Sequence, residues 1–314
     1  MTIAIRTENL TKEFGTVTAV AGIDFSVEEG EVFGVLGPNG AGKTTLVRLL
    51  NGILSPTRGK AWIYGKDATV NGPEVRQYTG VLTESPSHYE RLTARQNLHF
   101  YATMSGVPEV ELPTRVSRML SLFGLENRGD DLVGGFSKGM KQRLALARAL
   151  IHEPRVLFLD EPTAGLDPEA ARQVDDLIAE LATEEGRTVF LCTHNLHEGQ
   201  SLCDRVAMLN RGKLLAMGTI RELTDRIWRS MSVDVEFLHQ APPGLADDLK
   251  NLDGIVIESL QSSHLTLKVQ RSDCIPVAVR AIVNAGGEIL RVSPREYTLE
   301  EIYFAIQKGG EVSA

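Results

Sequence analysis

The chain has 314 residues, 42% of them hydrophobic and 24% charged, the balance of a folded protein of about two domains, which excludes disordered, collagen-like and coiled-coil classes. No run approaches the roughly 18 consecutive apolar residues that would span a bilayer. Against 33 lysines and arginines stand 41 acidic residues, and the resulting formal charge of −8 opposes non-specific attraction to nucleic acid or to anionic lipid.

At the N-terminus, Met1-Thr2-Ile3-Ala4-Ile5-Arg6 lacks the basic start and apolar stretch of a secretory signal, so a cytoplasmic chain is expected. From residue 3 to about 218, short β-branched runs alternate with longer helical patterns, which predicts βα units around a largely parallel sheet. Residues 31–36, 155–159 and 188–192 are short and mostly apolar, as strands covered on both faces should be. Between the first two of these, residues 84–152 lack strand patterns and read as a helical insertion. There Thr93 and Gln96 make a capping box, and residues 114–125 are amphipathic.

Beyond residue 218 the order changes to strand 233–238, helix 245–252, strands 255–260 and 265–269, helix 276–285 and strand 288–292. This βαββαβ order predicts a small α+β ferredoxin-like domain, closed by an amphipathic helix over 299–307. The expected domains are 1–223 and 224–314, with the junction inside 224–232. Cys192, Cys203 and Cys274 have no metal-ligand spacing, and their odd number fits reduced structural thiols.

Two strand ends carry chemistry. Gly37-Pro38-Asn39-Gly40-Ala41-Gly42-Lys43-Thr44 fits G-x-x-x-x-G-K-[ST] between a predicted strand and a helical run starting at Thr45. Glycines let backbone N–H groups turn toward phosphate oxygens, the helix N-terminus adds partial positive charge, Lys43 neutralises the outer phosphates, and Thr44 offers its hydroxyl to Mg2+. Asp160 and Glu161 end an apolar strand, where ligands gather in open α/β sheets. Asp160 is expected to help hold the metal, and Glu161 to accept a proton from an attacking water.

With Phe136-Ser137-Lys138-Gly139-Met140-Lys141-Gln142-Arg143, Asp160-Glu161-Pro162-Thr163, Gly165-Leu166-Asp167 and Thr193-His194, these elements make residues 3–218 resemble the ATP-binding cassette (ABC) transporter ATPases. The fold implied is an α/β P-loop NTPase with a helical subdomain. Within that family the chain is similar to ATPase subunits of bacterial and archaeal exporters, in which a lone ATPase subunit serves a separate membrane permease. The C-terminal extension, ending Tyr297-Thr298-Leu299-Glu300-Glu301-Ile302-Tyr303, is similar to theirs.

The resemblance implies ATP and Mg2+ as cofactors, and two partners: an integral membrane permease, and a second copy in a head-to-tail dimer. Nucleic acid is not an expected partner. The implied location is cytoplasmic, peripheral on the inner face of the membrane through the permease. Ser137 and Gly139 would contact the γ-phosphate of ATP on the other copy, and His194 would hold the γ-phosphate and water. Asp167 would lie at the subunit interface, besides capping the helix that opens with Pro168. Phe14, in Glu13-Phe14-Gly15, would stack on adenine.

Two departures stand out. Glu84, in Val81-Leu82-Thr83-Glu84, replaces the usual glutamine, and it can still ligate Mg2+ while adding charge near the nucleotide. Lys138 and Met140 replace a glycine and a glutamine, and Lys138 is open to either phosphate binding or simple solvation. A soluble cassette ATPase acting on ribosomes or DNA is the alternative, though such proteins usually carry two cassettes or a long coiled coil. Glu161 and His194 argue against a non-hydrolysing binder. The C-terminal domain has no catalytic cluster, and a regulatory or dimer-stabilising role is expected of it.

Overall fold

Short apolar runs with no polar break can satisfy their backbone groups only by pairing with one another, and here they do so side by side. The computed structural model describes residues 2–228 and 230–309. Met1, Arg229 and residues 310–314, at the ends and junction of the expected domains, lie outside the described residues. Among the described residues, six strands form one sheet in the order Lys213–Gly218, Arg205–Asn210, Val32–Leu36, Thr188–Thr193, Val156–Asp160, Thr79–Leu82. Every pair is parallel except the hairpin at the Lys213–Gly218 edge.

The two-residue strand period sorts the side chains between two cores. Leu157, Leu159, Val189 and Leu191 face a cluster with the helices Ala94–Met104, Leu112–Leu122, Lys138–Leu150 and Pro168–Thr183. Val156, Phe158, Phe190 and Cys192 face the opposite cluster, which holds the helix Lys43–Leu50. There Phe190 packs its ring against Phe25, Phe33 and Phe158 at centroid distances of 5.2–5.9 Å.

The N-terminal residues depart from the expected parallel pattern. Ile3–Phe14 and Val17–Glu28 pair antiparallel and, with Arg58–Ile63 and Lys66–Asp67, form a separate four-stranded sheet among the described residues. Only Gly15 and Thr16 separate the first two strands, and a parallel crossover needs a dozen residues or more. The expected βα alternation from residue 3 therefore holds only from Val32 onward, and the first two strands form a hairpin.

The helical insertion follows its local signals. Thr93 Oγ1 accepts from Gln96 N at 3.1 Å and Gln96 Oε1 accepts from Thr93 N at 2.9 Å, closing the capping box. Ser137 Oγ caps Lys138–Leu150 from Met140 N at 3.2 Å, and Asp167 Oδ1 caps Pro168–Thr183 from Ala170 N at 2.9 Å.

The chain divides into two compact units, the first ending at Ile220 and the second starting at Arg221, a few residues before the expected junction. In the second unit, Met231–Phe237, Ile255–Leu260, His264–Val269 and Ile289–Pro294 alternate with the helices Leu245–Lys250 and Cys274–Asn284 in βαββαβ order. The strands are all antiparallel, with Met231–Phe237 and His264–Val269 central, as in a ferredoxin-like fold. The closing helix is Leu299–Gly309.

Candidate functional site

The parallel strands end at one edge of the sheet, and the residues that follow them converge there. Gly37 follows Leu36, Glu161 follows Asp160, His194 follows Thr193, Arg211 follows Asn210, and Glu84 comes two residues after Leu82. Such an edge is where open α/β sheets bind ligands. A cleft of about 600 Å³ opens at it, lined by residues 38–45, Glu84, Asp160 and Glu161, and also by Arg211 and residues 17–19 of the N-terminal hairpin.

The glycines of residues 37–42 are required by space as well as conformation. Gly42 has φ of 109°, and a Cβ on it would lie 2.2 Å from the Ala19 carbonyl oxygen. A Cβ on Gly37 would lie 2.3 Å from the Leu209 carbonyl oxygen. The helix then begins at Lys43 with no side-chain cap and no acidic residue in its first turn. Its first N–H groups therefore face the cleft without an anionic partner, which is the arrangement that receives phosphate.

A polar network fills the floor. Lys43 Nζ donates to the Gly37 carbonyl at 2.7 Å and lies 3.1 Å from Glu161 Oε1. Glu161 Oε2 is 2.7 Å from His194 Nδ1 and accepts from His194 N at 3.3 Å. Glu161 itself sits at φ of 53°, a left-handed conformation that a glutamate adopts at a cost of about 1 kcal/mol. Its side chain is buried while His194 is more than half exposed, so the imidazole can reach an incoming group.

Thr44 Oγ1 donates to Asp160 Oδ2 at 2.7 Å, and Asp160 Oδ1 is buried with no hydrogen-bond partner. Burial pushes the Asp160 carboxyl above its ordinary value; the Thr44 hydrogen bond opposes this, and the charges of Glu161 and Glu84 add to it. Thus Glu84, exposed on the rim, is electrostatically coupled to the floor.

Phe14 is half exposed at the hairpin, beside Lys12 Nζ at 5.1 Å from its ring centroid. It stands outside the lining, which that hairpin supplies through Val17, Thr18 and Ala19. Ser137 and Gly139 line a different cleft of about 280 Å³, together with Gly165, Asp167 and Arg143. Within one copy they are therefore not brought to Lys43. Lys138 is neither free in solvent nor aimed at the first cleft: its Nζ donates to the Gly165 carbonyl at 2.9 Å.

Sequence reading missed several lining and bracing groups. Arg211 lines the cleft from an Asn210-Arg211-Gly212 strand-end turn, a signal that spacing analysis could have used. Gln142, 6% exposed, donates through Nε2 to the Pro162 carbonyl at 2.5 Å, tying the Lys138–Leu150 helix to the turn after Glu161. A half-exposed-looking helical glutamine carries no such signal in sequence.

The sequence profile of the family described as ABC transporter matches residues 20–164. The bacitracin transport ATP-binding protein BcrA of Bacillus licheniformis is 34% identical over 99% of this chain and 100% of its own length. The daunorubicin resistance ATP-binding protein DrrA3 of Streptomyces coeruleorubidus is 36% identical over 96% of this chain and 94% of its own. Among solved structures, cbiO1 of Clostridium perfringens, part of the ABC transporter complex cbiONQ, superposes with a TM-score of 0.64 at 31% identity, over 72% of this chain and 96% of that one. No helix among the described residues is long and apolar enough to cross a membrane.

Proposed function

The chain belongs to the ABC transporter family, as an ATP-binding and ATP-hydrolysing subunit, and on that premise we propose that it works as a head-to-tail dimer driving a separate membrane permease that exports its cargo from the cytoplasmic side. The observation that carries this reading is the pairing of Lys43 with Glu161 on one cleft floor and of His194 with the same Glu161, with Ser137 and Gly139 held apart in a second cleft of the same copy. A γ-phosphate would be enclosed only when the second cleft of another copy closes over the first. Similarity to the bacitracin and daunorubicin subunits, matched along nearly their full length, supports export.

In this mechanism residues 37–45 cradle the phosphates with backbone N–H groups, and Lys43 neutralises the outer ones. Glu161 takes the proton of the attacking water, while His194 orients that water and the γ-phosphate. Phe14, beside the lining, stacks on adenine. The all-oxygen set of Thr44, Asp160 and Glu84, with Asp160 Oδ1 buried and unpartnered, fits a hard divalent cation, and these residues would hold Mg2+. When bound, that ion would supply charge neutralisation to the phosphates.

The permease contact is assigned to the exposed face of Ala94–Met104, where Phe100, Met104 and His99 border a shallow apolar cleft of about 480 Å³. Tyr89 packs edge-on against Phe100 at 5.0 Å, and it lies on the loop after Thr79–Leu82 that also carries Glu84, which would link this face to the nucleotide cleft. The fitting location is peripheral, on the cytoplasmic face of the membrane. The −8 charge gives no support to a cassette that works on DNA or ribosomes.

Glu161→Gln keeps the size of the side chain and removes the base. Hydrolysis should fall by about two orders of magnitude or more, and light scattering with Mg-ATP should find a dimer that Ser137→Arg abolishes. A strictly monomeric Glu161→Gln protein with undiminished hydrolysis would sink both the base and the shared-site mechanism.

A further inference from the structure

Behind the cleft floor, two carboxyls meet where the mechanism uses neither. Glu198, on the helix Leu196–Leu202, is 1% exposed, and its Oε1 accepts the Thr163 hydroxyl at 2.9 Å. The Thr193 hydroxyl borders the same carboxyl. Asp175 approaches from the helix Pro168–Thr183, within hydrogen-bonding reach of Glu198. Glu198 Oε2 and Asp175 Oδ1 are both buried, and neither has a hydrogen-bond partner.

Ionised carboxylates only accept, so two of them cannot bond to each other. A single proton on one satisfies both orphaned oxygens and removes the repulsion of paired charges. We propose that Asp175 and Glu198 hold one proton between them and act as a positioning pair for hydrolysis, fastening Thr163, two residues beyond Glu161, and the strand end that carries His194. The inference rests on the assigned roles of Glu161 and His194 for its effect on rate, and on the two buried, unpartnered carboxyl oxygens for the shared proton.

The surroundings favour the protonated pair. Burial raises Glu198 to about 7, with Asp175 and Glu161 adding and the threonine hydrogen bonds opposing. Burial likewise raises Asp175 to about 6, with Asp176 adding and the hydrogen bond to Glu198 opposing. The titratable groups facing the pair are Glu161 after the central strand, Asp176 on the Asp175 helix, and the Cys203 thiol beyond the Glu198 helix, itself pushed well up by burial. Each adds negative charge when ionised. A carboxyl raised by folding contributes stability that is complete below its ordinary value of 4.5 and is lost as pH rises through about 7.

The test measures kcat at saturating Mg-ATP and urea midpoints from pH 6 to 9, for the full chain and for Glu198→Gln and Asp175→Asn. The wild-type kcat should fall about tenfold or more between pH 6.5 and 8.5, with little change in KM. In each variant an amide N–H replaces the titrating proton, so the same ratio should stay within about twofold and the wild-type loss of urea midpoint at high pH should disappear. Variant profiles that superpose on the wild type overturn the pair. If the wild type hydrolyses no ATP, the functional reading fails instead, and the pH dependence of the urea midpoints decides the shared proton by itself. Should Glu198→Gln not fold, Asp175→Asn at its half-buried position carries the same comparison.

Discussion

Lys43 and Glu161 form an ion pair at 3.1 Å with both side chains more than nine-tenths buried. The amine at the end of the phosphate loop is thereby ion-paired with the carboxylate assigned as the base, and it also donates to the carbonyls of Gly37 at 2.7 Å and Pro38 at 3.4 Å. A phosphate entering the cleft competes for the same amine. Binding and freeing of the Glu161 oxygen are thus linked through one side chain.

Lys43→Ala should therefore do two separable things. It leaves the buried Glu161 carboxylate without its ammonium partner and with only the His194 contacts, a loss of about 3 kcal/mol in the range for broken buried pairs, and it removes the cation that meets the phosphates. Urea unfolding and ATP titration read the two effects apart. Adding Glu161→Gln should restore most of the stability and none of the affinity; recovery of ATP binding in the double variant would contradict the phosphate role.

The bond from Lys138 to the Gly165 carbonyl ties the 163–167 turn to the start of the Lys138–Leu150 helix. Gly165 has φ of 63°, and a Cβ there would lie 2.2 Å from Lys138 Nζ. Gly165→Ala is expected to destabilise by about 1–2 kcal/mol through the left-handed conformation alone. Lys138→Ala added to it should relieve the clash and leave that backbone share behind. A Tm for Gly165→Ala equal to wild type would refute the backbone strain.

Phe190 is wholly buried and touches three other rings across the central sheet. Truncation to Ala leaves a cavity that no side chain in regular strands can collapse to fill, so a loss of about 3–5 kcal/mol is expected by chemical denaturation. A loss under 1 kcal/mol would mean that the site repacks.

What the sequence by itself determined lies within short windows. The spacing from Gly37 to Thr44, the apolar strand ending in Asp160-Glu161, the Thr93 capping box, the Asp167 cap and the βαββαβ order all rest on local periodicity and cap chemistry. Tertiary structure decided what meets across long separations. It brought His194 onto Glu161, Ala19 against Gly42, Arg211 into the cleft, Lys138 onto Gly165 and Asp175 against Glu198. It also turned the first two strands into an antiparallel pair. These contacts depend on sheet register, strand order and which helix face turns inward, none of which a side chain's own neighbours in sequence encode.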